Sequence, residues 1–288
     1  MTAPETITLT ARDGYVLAGL LFLPDDAPRR TLIMNPALGV PKEFYRRFAE
    51  RATERGSAVL LYDYRGIGGS RHGSLRGVDA TFRDYGIFDI AAAIELMKTR
   101  FPNLPAHAVG HSAGGQLIGL AHNFAQLERI AMVACSTGTM SMMPRPFRYL
   151  ARFMMHVFIP ITTTLIGYSP SHAIGQGENL PREVAREWAA WCRADHYLAS
   201  YFGKTITRHW YDDLRAPILS IGITDDPIAN ARSVPALLAI YRNAPSETRW
   251  ITPADVRSKT LGHLGFFTSK GRAQWDALFD WLERGSPS

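Results

Sequence analysis

Short apolar runs alternate with amphipathic stretches along most of the chain, and the two rhythms predict different elements. Ile7 to Ala11 and Val16 to Pro24 read as two strands around the turn Arg12-Asp13-Gly14, an antiparallel hairpin. Further apolar runs at Thr31 to Met34, Ser57 to Tyr64, Arg129 to Ala134, Pro217 to Ile223 and Thr248 to Ile251, with one more ending at Gly110, predict buried strands. Helical spacing fills the intervals. It covers Pro41 to Arg55, closed by Gly56, and Phe82 to Arg100, with Ile87, Ile90, Ala91, Ile94 and Met97 on one side. Gly114 to Gln126, Ser233 to Arg242 and Arg272 to Arg284 complete the set.

Strands that alternate with helices in this way predict an α/β fold, a mostly parallel central sheet with helices on both faces. Such sheets bind ligands at the carboxyl ends of their strands. The alternation stops between about Ser136 and Tyr211, where the chain is aromatic, Met-rich and helical in pattern, without an obvious strand. That stretch is too long for a simple loop, which predicts a helical cap or lid, 136–211, inserted between two parts of one core, 1–135 and 212–288. Within it, Arg145, Arg148 and Arg152 fall on one helical face beside Phe147, Leu150, Phe153, Met154, Val157 and Phe158. A basic amphipathic helix of this kind can lie on a membrane surface, or close over a site with its apolar face inward. The second is favoured because the insertion arises beside the predicted carboxyl edge. Trp188 and Trp191 suggest a second packed helix.

Composition changes this picture little. The 288 residues are 46% hydrophobic and 20% charged, ordinary for a globular chain, and the net charge of +6 is spread along the sequence. Nucleic acid binding is therefore not indicated. Cys135 and Cys192 form neither a ligand spacing nor a disulfide framework, so buried free thiols in a reducing cytoplasm are expected. The start, Met1 to Thr6, has neither the basic nor the apolar segment of a signal peptide, and no window reads as a membrane span. Gly66, Gly68 and Gly69 do not form a dinucleotide fingerprint and no metal-ligand cluster is visible, so neither a cofactor nor a metal is implied.

The chemistry is concentrated at Gly110-His111-Ser112-Ala113-Gly114. A strand before it and a helix after it make this a nucleophile elbow, with Ser112 at the tip of a sharp turn and glycines two places either side where neighbouring segments pass too close for a side chain. The Ala113 amide is placed to donate to a developing oxyanion. A serine nucleophile needs a base, and the base an orienting acid, in the chain order serine, acid, histidine. The strand Pro217 to Ile223 leads into Asp225-Asp226-Pro227-Ile228. Either aspartate could serve, and Asp226 is preferred because the acid commonly stands just before such a Pro-Ile turn. His263, between Gly262 and Leu264-Gly265 on the last loop before the final helix, is the expected base. His111, inside the elbow, is expected to pack there. The loop Pro36-Ala37-Leu38-Gly39 would supply the second oxyanion amide, from Leu38.

These residues carry a resemblance. Gly39-Val40 with Phe44-Tyr45, Asp63-Tyr64-Arg65-Gly66-Ile67-Gly68, Gly110 to Gln116 and Gly262 to Phe267 are similar to α/β-hydrolase fold proteins of the serine-aminopeptidase-like, or monoacylglycerol-lipase-like, group. Gly175-Gln176-Gly177-Glu178-Asn179-Leu180-Pro181, Glu187-Trp188 and Trp191-Cys192-Arg193 resemble a narrower bacterial set within it. The His-Gly usual at the oxyanion loop is here Pro36-Ala37. The expected activity is hydrolysis of a small-molecule ester with an apolar acyl or alcohol part. Acyl transfer on the same triad, amide or peptide cleavage, and a non-catalytic small-molecule receptor are the alternatives. The sequence is compatible with a homodimer and does not disclose the oligomeric state.

Overall fold

Strands and helices follow one another almost as the apolar runs predict. A computed structural model describes residues 3–175 and 177–284. Met1, Thr2, Gln176 and 285–288, and with them the outer limits of the expected core segments, lie outside the described residues. The hairpin β1 (Glu5–Thr10) and β2 (Val16–Phe22) leads into β3 (Arg30–Asn35), a 3-10 turn at Lys42–Tyr45, α1 (Arg46–Glu54) and β4 (Ser57–Tyr62). A π-helical turn, Tyr85–Ile90, runs into α2 (Ala91–Arg100), followed by β5 (Ala106–His111), α3 (Ala113–Gln116) and β6 (Arg129–Val133). The insertion carries α4 (Phe147–Phe153), a π turn (Met154–Phe158), α5 (Ile159–Leu165), the short strands β7 (Tyr168–Ser169) and β8 (Leu180–Pro181), and α6 (Arg182–Arg193). The core closes with β9 (Ile218–Ile223), α7 (Ser233–Leu238), β10 (Ser246–Ile251) and α8 (Trp275–Glu283).

The sheet has eight strands in the order β1-β2-β4-β3-β5-β6-β9-β10. Only the pairings of β2, with β1 and with β4, are antiparallel. From β3 the chain steps to β4 on one side, then crosses back to β5 on the other, and β3 pairs with both. The strand order therefore reverses at β3 and β5, and the loops leaving their carboxyl ends flank the crevice where an open α/β sheet takes its ligand.

Both sheet faces are buried, as continuous apolar strands require. In β4, Ala58, Leu60 and Tyr62 pack into a core shared with α2 and the insertion, while Val59 and Leu61 pack into the core of α1 and α8. Alternate side chains of one strand thus bind two helical layers. Burying one such apolar side chain contributes about 1.5–3 kcal/mol.

Three sequence expectations are corrected. The helix expected over Gly114 to Gln126 breaks after α3, with 3-10 turns at Ile118–Leu120 and Phe124–Gln126. Its carbonyls are taken by side chains distant in sequence. Tyr241 Oη donates to the Gly115 carbonyl at 2.7 Å and Tyr211 Oη to the Gln116 carbonyl at 2.7 Å, while the Gly119 amide donates to Tyr241 Oη at 3.2 Å. Second, the insertion is not wholly helical, because β7 and β8 pair antiparallel. Third, the apolar side chains of α4 and the π turn after it do not all turn inward: Ala151, Met154 and Met155 do, but Leu150, Phe153 and Val157 are exposed. Among the described residues no helix is long and apolar enough to cross a membrane.

Candidate active site

The turn after β5 is strained. Ser112 has φ 51° and ψ −113°, a conformation that costs a non-glycine residue about 1–3 kcal/mol and persists only where its surroundings dictate it. Those surroundings are backbone. The Ser112 amide donates to the Val133 carbonyl at 3.0 Å, and its own carbonyl accepts from the Gly115 amide at 3.2 Å. A Cβ at Gly110 would meet the Gly115 backbone, and one at Gly114 the Asn35 carbonyl. The two glycines are thus spatial requirements of a crossing between β3, β5 and α3.

The trio expected from chain order converges here. His263 Nε2 lies 2.9 Å from Ser112 Oγ, and its Nδ1 lies 2.6 Å from Asp226 Oδ2. The Asp226 side chain is fully buried and that of His263 is 18% exposed, so the acid is shielded from water while the imidazole keeps one open edge. Burial works to raise the Asp226 carboxyl. The adjacent His263 ring and the amides of Ile228 and Ala229 outweigh it and hold the group below the usual aspartate value. The Ile228 amide donates to Asp226 Oδ1 at 2.8 Å, so the carboxylate is gripped on both oxygens.

Asp225, the other aspartate of the doublet, turns elsewhere. Its Oδ2 and Oδ1 accept from the amides of Leu261 at 2.9 Å and Gly262 at 3.0 Å. One aspartate therefore faces the imidazole while its neighbour holds the backbone that carries it. Both aspartates lie in the turn that follows β9, closed by the Asp226 amide donating to the Ile223 carbonyl at 3.1 Å.

In the loop after β3, Ala37 to Val40 form a turn, with the Val40 amide donating to the Ala37 carbonyl at 3.1 Å. The Ala37 amide is occupied, donating to Tyr45 Oη at 2.9 Å. Leu38 is half-buried, and among the described residues its amide and that of Ala113 have no hydrogen-bond acceptor. Ala113 is the first residue of α3, where an amide has no intrahelical acceptor.

His111 does more than pack in the elbow, which its sequence position did not reveal. Tyr45 Oη lies 2.8 Å from His111 Nδ1, and His111 Nε2 lies 2.9 Å from the His263 carbonyl. Since Tyr45 already accepts from Ala37, its own hydrogen goes to Nδ1, and Nε2–H donates to the carbonyl. Burial, with His263 adding, pushes His111 down to about 3, so it is neutral at ordinary pH as this chain of donors requires. The loop after β3 is thereby tied through two rings to the loop carrying His263.

The glycine-rich loop after β4 is structural. Asp63 Oδ2 pairs with Lys42 Nζ at 2.7 Å and accepts from the Gly69 amide at 2.8 Å, while Arg65 pairs with Asp89 and Asp13. The insertion reaches this ground through Glu178, whose amide donates to the Gly39 carbonyl at 2.7 Å and whose Oε2 accepts from the Gly68 amide at 2.9 Å.

The sheet order, with a strained strand-to-helix turn at its carboxyl edge, is that of an α/β hydrolase. The chain belongs to the alpha/beta hydrolase family, whose model matches residues 22–275. Solved structures agree on the fold at low identity. An esterase from Pyrococcus furiosus is 16% identical with a TM-score of 0.61, over 98% of this chain and 90% of that one. A highly thermostable carboxyl esterase from Bacillus coagulans, solved with glycerol, is 14% identical with a TM-score of 0.63, over 98% and 99%. An α/β serine hydrolase without lid from Xanthomonas campestris is 16% identical with a TM-score of 0.58, over 100% and 97%. No curated protein matches the chain by sequence.

Proposed function

We propose that the protein is a serine hydrolase that cleaves carboxylic esters with an apolar acyl or alcohol part through an acyl-enzyme on Ser112. One observation carries this reading: the hydrogen-bonded run from Ser112 Oγ through both nitrogens of His263 to a buried, ionised Asp226. His263 Nε2 accepts the serine proton as Oγ attacks the ester carbonyl, then delivers it to the departing alcohol oxygen. Water next gives its proton to His263 and attacks the acyl-enzyme, which releases the carboxylic acid and restores the serine. Asp226 holds the Nδ1–H tautomer and stabilises the imidazolium formed in each half. The oxyanion is assigned to the Ala113 and Leu38 amides, which have no acceptor among the described residues, whereas the neighbouring Ala37 amide is occupied. One such donor is typically worth about 3–4 kcal/mol of transition-state stabilisation. An apolar substrate is supported by the Met-rich insertion, where Met140, Met143, Met154 and Met155 are buried and Phe147 and Trp188 pack on the same core.

Initial rates on p-nitrophenyl esters from acetate to long acyl chains, for the native chain and Ser112→Ala, test this. A chain-length optimum abolished by the substitution is expected. Equal, negligible rates in both proteins would overturn the ester reading. Rates that appear only with an added alcohol or thiol acceptor would replace hydrolysis by acyl transfer.

A further inference from the structure

The continuous helical run α4, π turn and α5 leaves a row of large apolar side chains in solvent. Tyr149, Leu150, Phe153, Val157, Ile161 and Leu165 are all exposed, Leu165 by 77%. From Leu150 onward they recur every three or four residues, the spacing of one helix face. Elsewhere among the described residues only Val16, Trp250 and Leu264 are large apolar side chains left comparably open, and they are scattered. The fold does not need this ridge. The opposite face of the run already supplies Ala151, Met154, Met155 and Ile159 to the core. A row of this kind in a chain that otherwise buries its apolar residues marks a contact surface.

Charge decides which contact. Glu128 and Glu178 bracket a stretch with no Asp or Glu between them. Arg145, Arg148, Arg152 and His156 stand in or beside the helical run, and among the described residues none of them pairs with a carboxylate. Arg145 lies over the Tyr149 ring, and Arg148 Nε donates to the Met143 carbonyl at 2.9 Å. Neighbouring elements add cations. Arg76 Nε bonds the Ile166 carbonyl and Arg193 the Met155 carbonyl. The carboxylates facing the run from α6 are spoken for, Glu183 by Arg186 and Glu187 by Arg83.

We propose that the α4–α5 ridge docks the protein on an anionic lipid surface, with the ridge among the upper acyl chains and the unpaired arginines at the lipid phosphates. A helix that is apolar on its outer face, flanked by arginine and too polar to span is the form such interfacial contacts take. A second copy seated on the same ridge would instead bring Arg145 and Arg152 of both copies together with no carboxylate in the stretch to receive them.

The test is co-sedimentation of the Ser112→Ala chain with phosphatidylcholine vesicles, with and without phosphatidylglycerol, so that the outcome does not depend on the ester reading. Binding only to the anionic vesicles, weakened by salt, is expected. Arg145→Gln and Arg152→Gln should each weaken it roughly fivefold, and Phe153→Ser about tenfold. All three side chains are exposed, so the variants should retain the thermal midpoint of the parent. No binding, equal binding to neutral vesicles, or binding unchanged by these substitutions would overturn the proposal. So would light scattering that shows a dimer dissolved by Phe153→Ser, since the ridge would then be covered by a second copy.

Discussion

Tyr45→Phe is the most informative single change, because it removes one oxygen from the link between the two loops that frame Ser112. Tyr45 is fully buried, and a phenylalanine keeps its edge-on contacts with Phe44, Phe267 and His111. What disappears is the hydroxyl that accepts from Ala37 and donates to His111 Nδ1. Both partners stay behind in a site closed to water, Ala37 being 4% and His111 0% exposed. Leaving a buried donor or acceptor unpaired costs about 1–3 kcal/mol, so two such groups lower the stability by about 2–4 kcal/mol after partial relaxation. The kinetic effect has a different signature. Ala37 immediately precedes Leu38, whose amide is the proposed oxyanion donor, so in that reading a loosened loop penalises the transition state rather than the bound ester. A loss of roughly one third to two thirds of one oxyanion donor corresponds to about a ten- to hundredfold fall in kcat, with KM changed less than about threefold. Urea denaturation and steady-state rates on one p-nitrophenyl ester, run on the same preparations, separate the two effects. A variant with the parental urea midpoint would refute the claim that the hydroxyl satisfies buried partners. A destabilised variant with unchanged kcat would refute the coupling of the link to the proposed oxyanion donor.

Two further outcomes follow from the site and its supporting strand. Asp226→Asn should lower kcat by about 10³–10⁴-fold through loss of the correct tautomer, whereas Asp225→Asn should cost only about tenfold through a looser Leu261–Gly262 backbone; the reverse order in steady-state rates would exchange their roles. Acid should also unfold the protein through its buried histidines. Burial, aided by Arg30 and Arg129, pushes His107 in β5 down to about 4, and His111 stands at about 3. Both folded values lie below the unfolded one near 6.5, so the unfolded state binds more protons, and stability present above pH 6.5 is lost as pH falls toward 4 and 3. Each histidine costs about 2 kcal/mol between pH 7 and 5. His107→Leu should remove about half of their combined slope in unfolding free energy against pH, and an unchanged slope would show that His107 is not part of it.

How much of this was legible in the sequence depends on how local the cause is. Strands β3, β4, β6 and β9 are short apolar runs buried on both faces, and hydrophobicity alone marks them. Ser112, Asp226 and His263 are legible because the chemistry demands those residue types in that chain order, on turns that end strands or precede the last helix. What the sequence hides is set by partners far along the chain. Nothing near Gly115 or Gln116 announces that tyrosines at 211 and 241 will take their carbonyls and cut α3 short. Asp225 could be recognised as a candidate acid, but its grip on Leu261 and Gly262 is a contact across 36 residues.

The same reasoning applies to His111 and the α4 ridge. A histidine inside an elbow is a plausible packing residue until Tyr45, brought over by the 3-10 turn before α1, is seen to donate to it. An amphipathic pattern fixes which residues share a helix face but not which way that face turns. The arginines did not decide the orientation either, since a cationic face can be covered by carboxylates or left open. In this chain the run from 129 to 177 contains no carboxylate and α6 keeps its own two engaged, so the cations beside Leu150 and Phe153 find no carboxylate partner among the described residues. With the inward face already filled by Ala151, Met154, Met155 and Ile159, the outer apolar row gains nothing from the monomer. Its retention beside unpaired arginines is accounted for by a surface outside the protein that offers both acyl chains and negative charge.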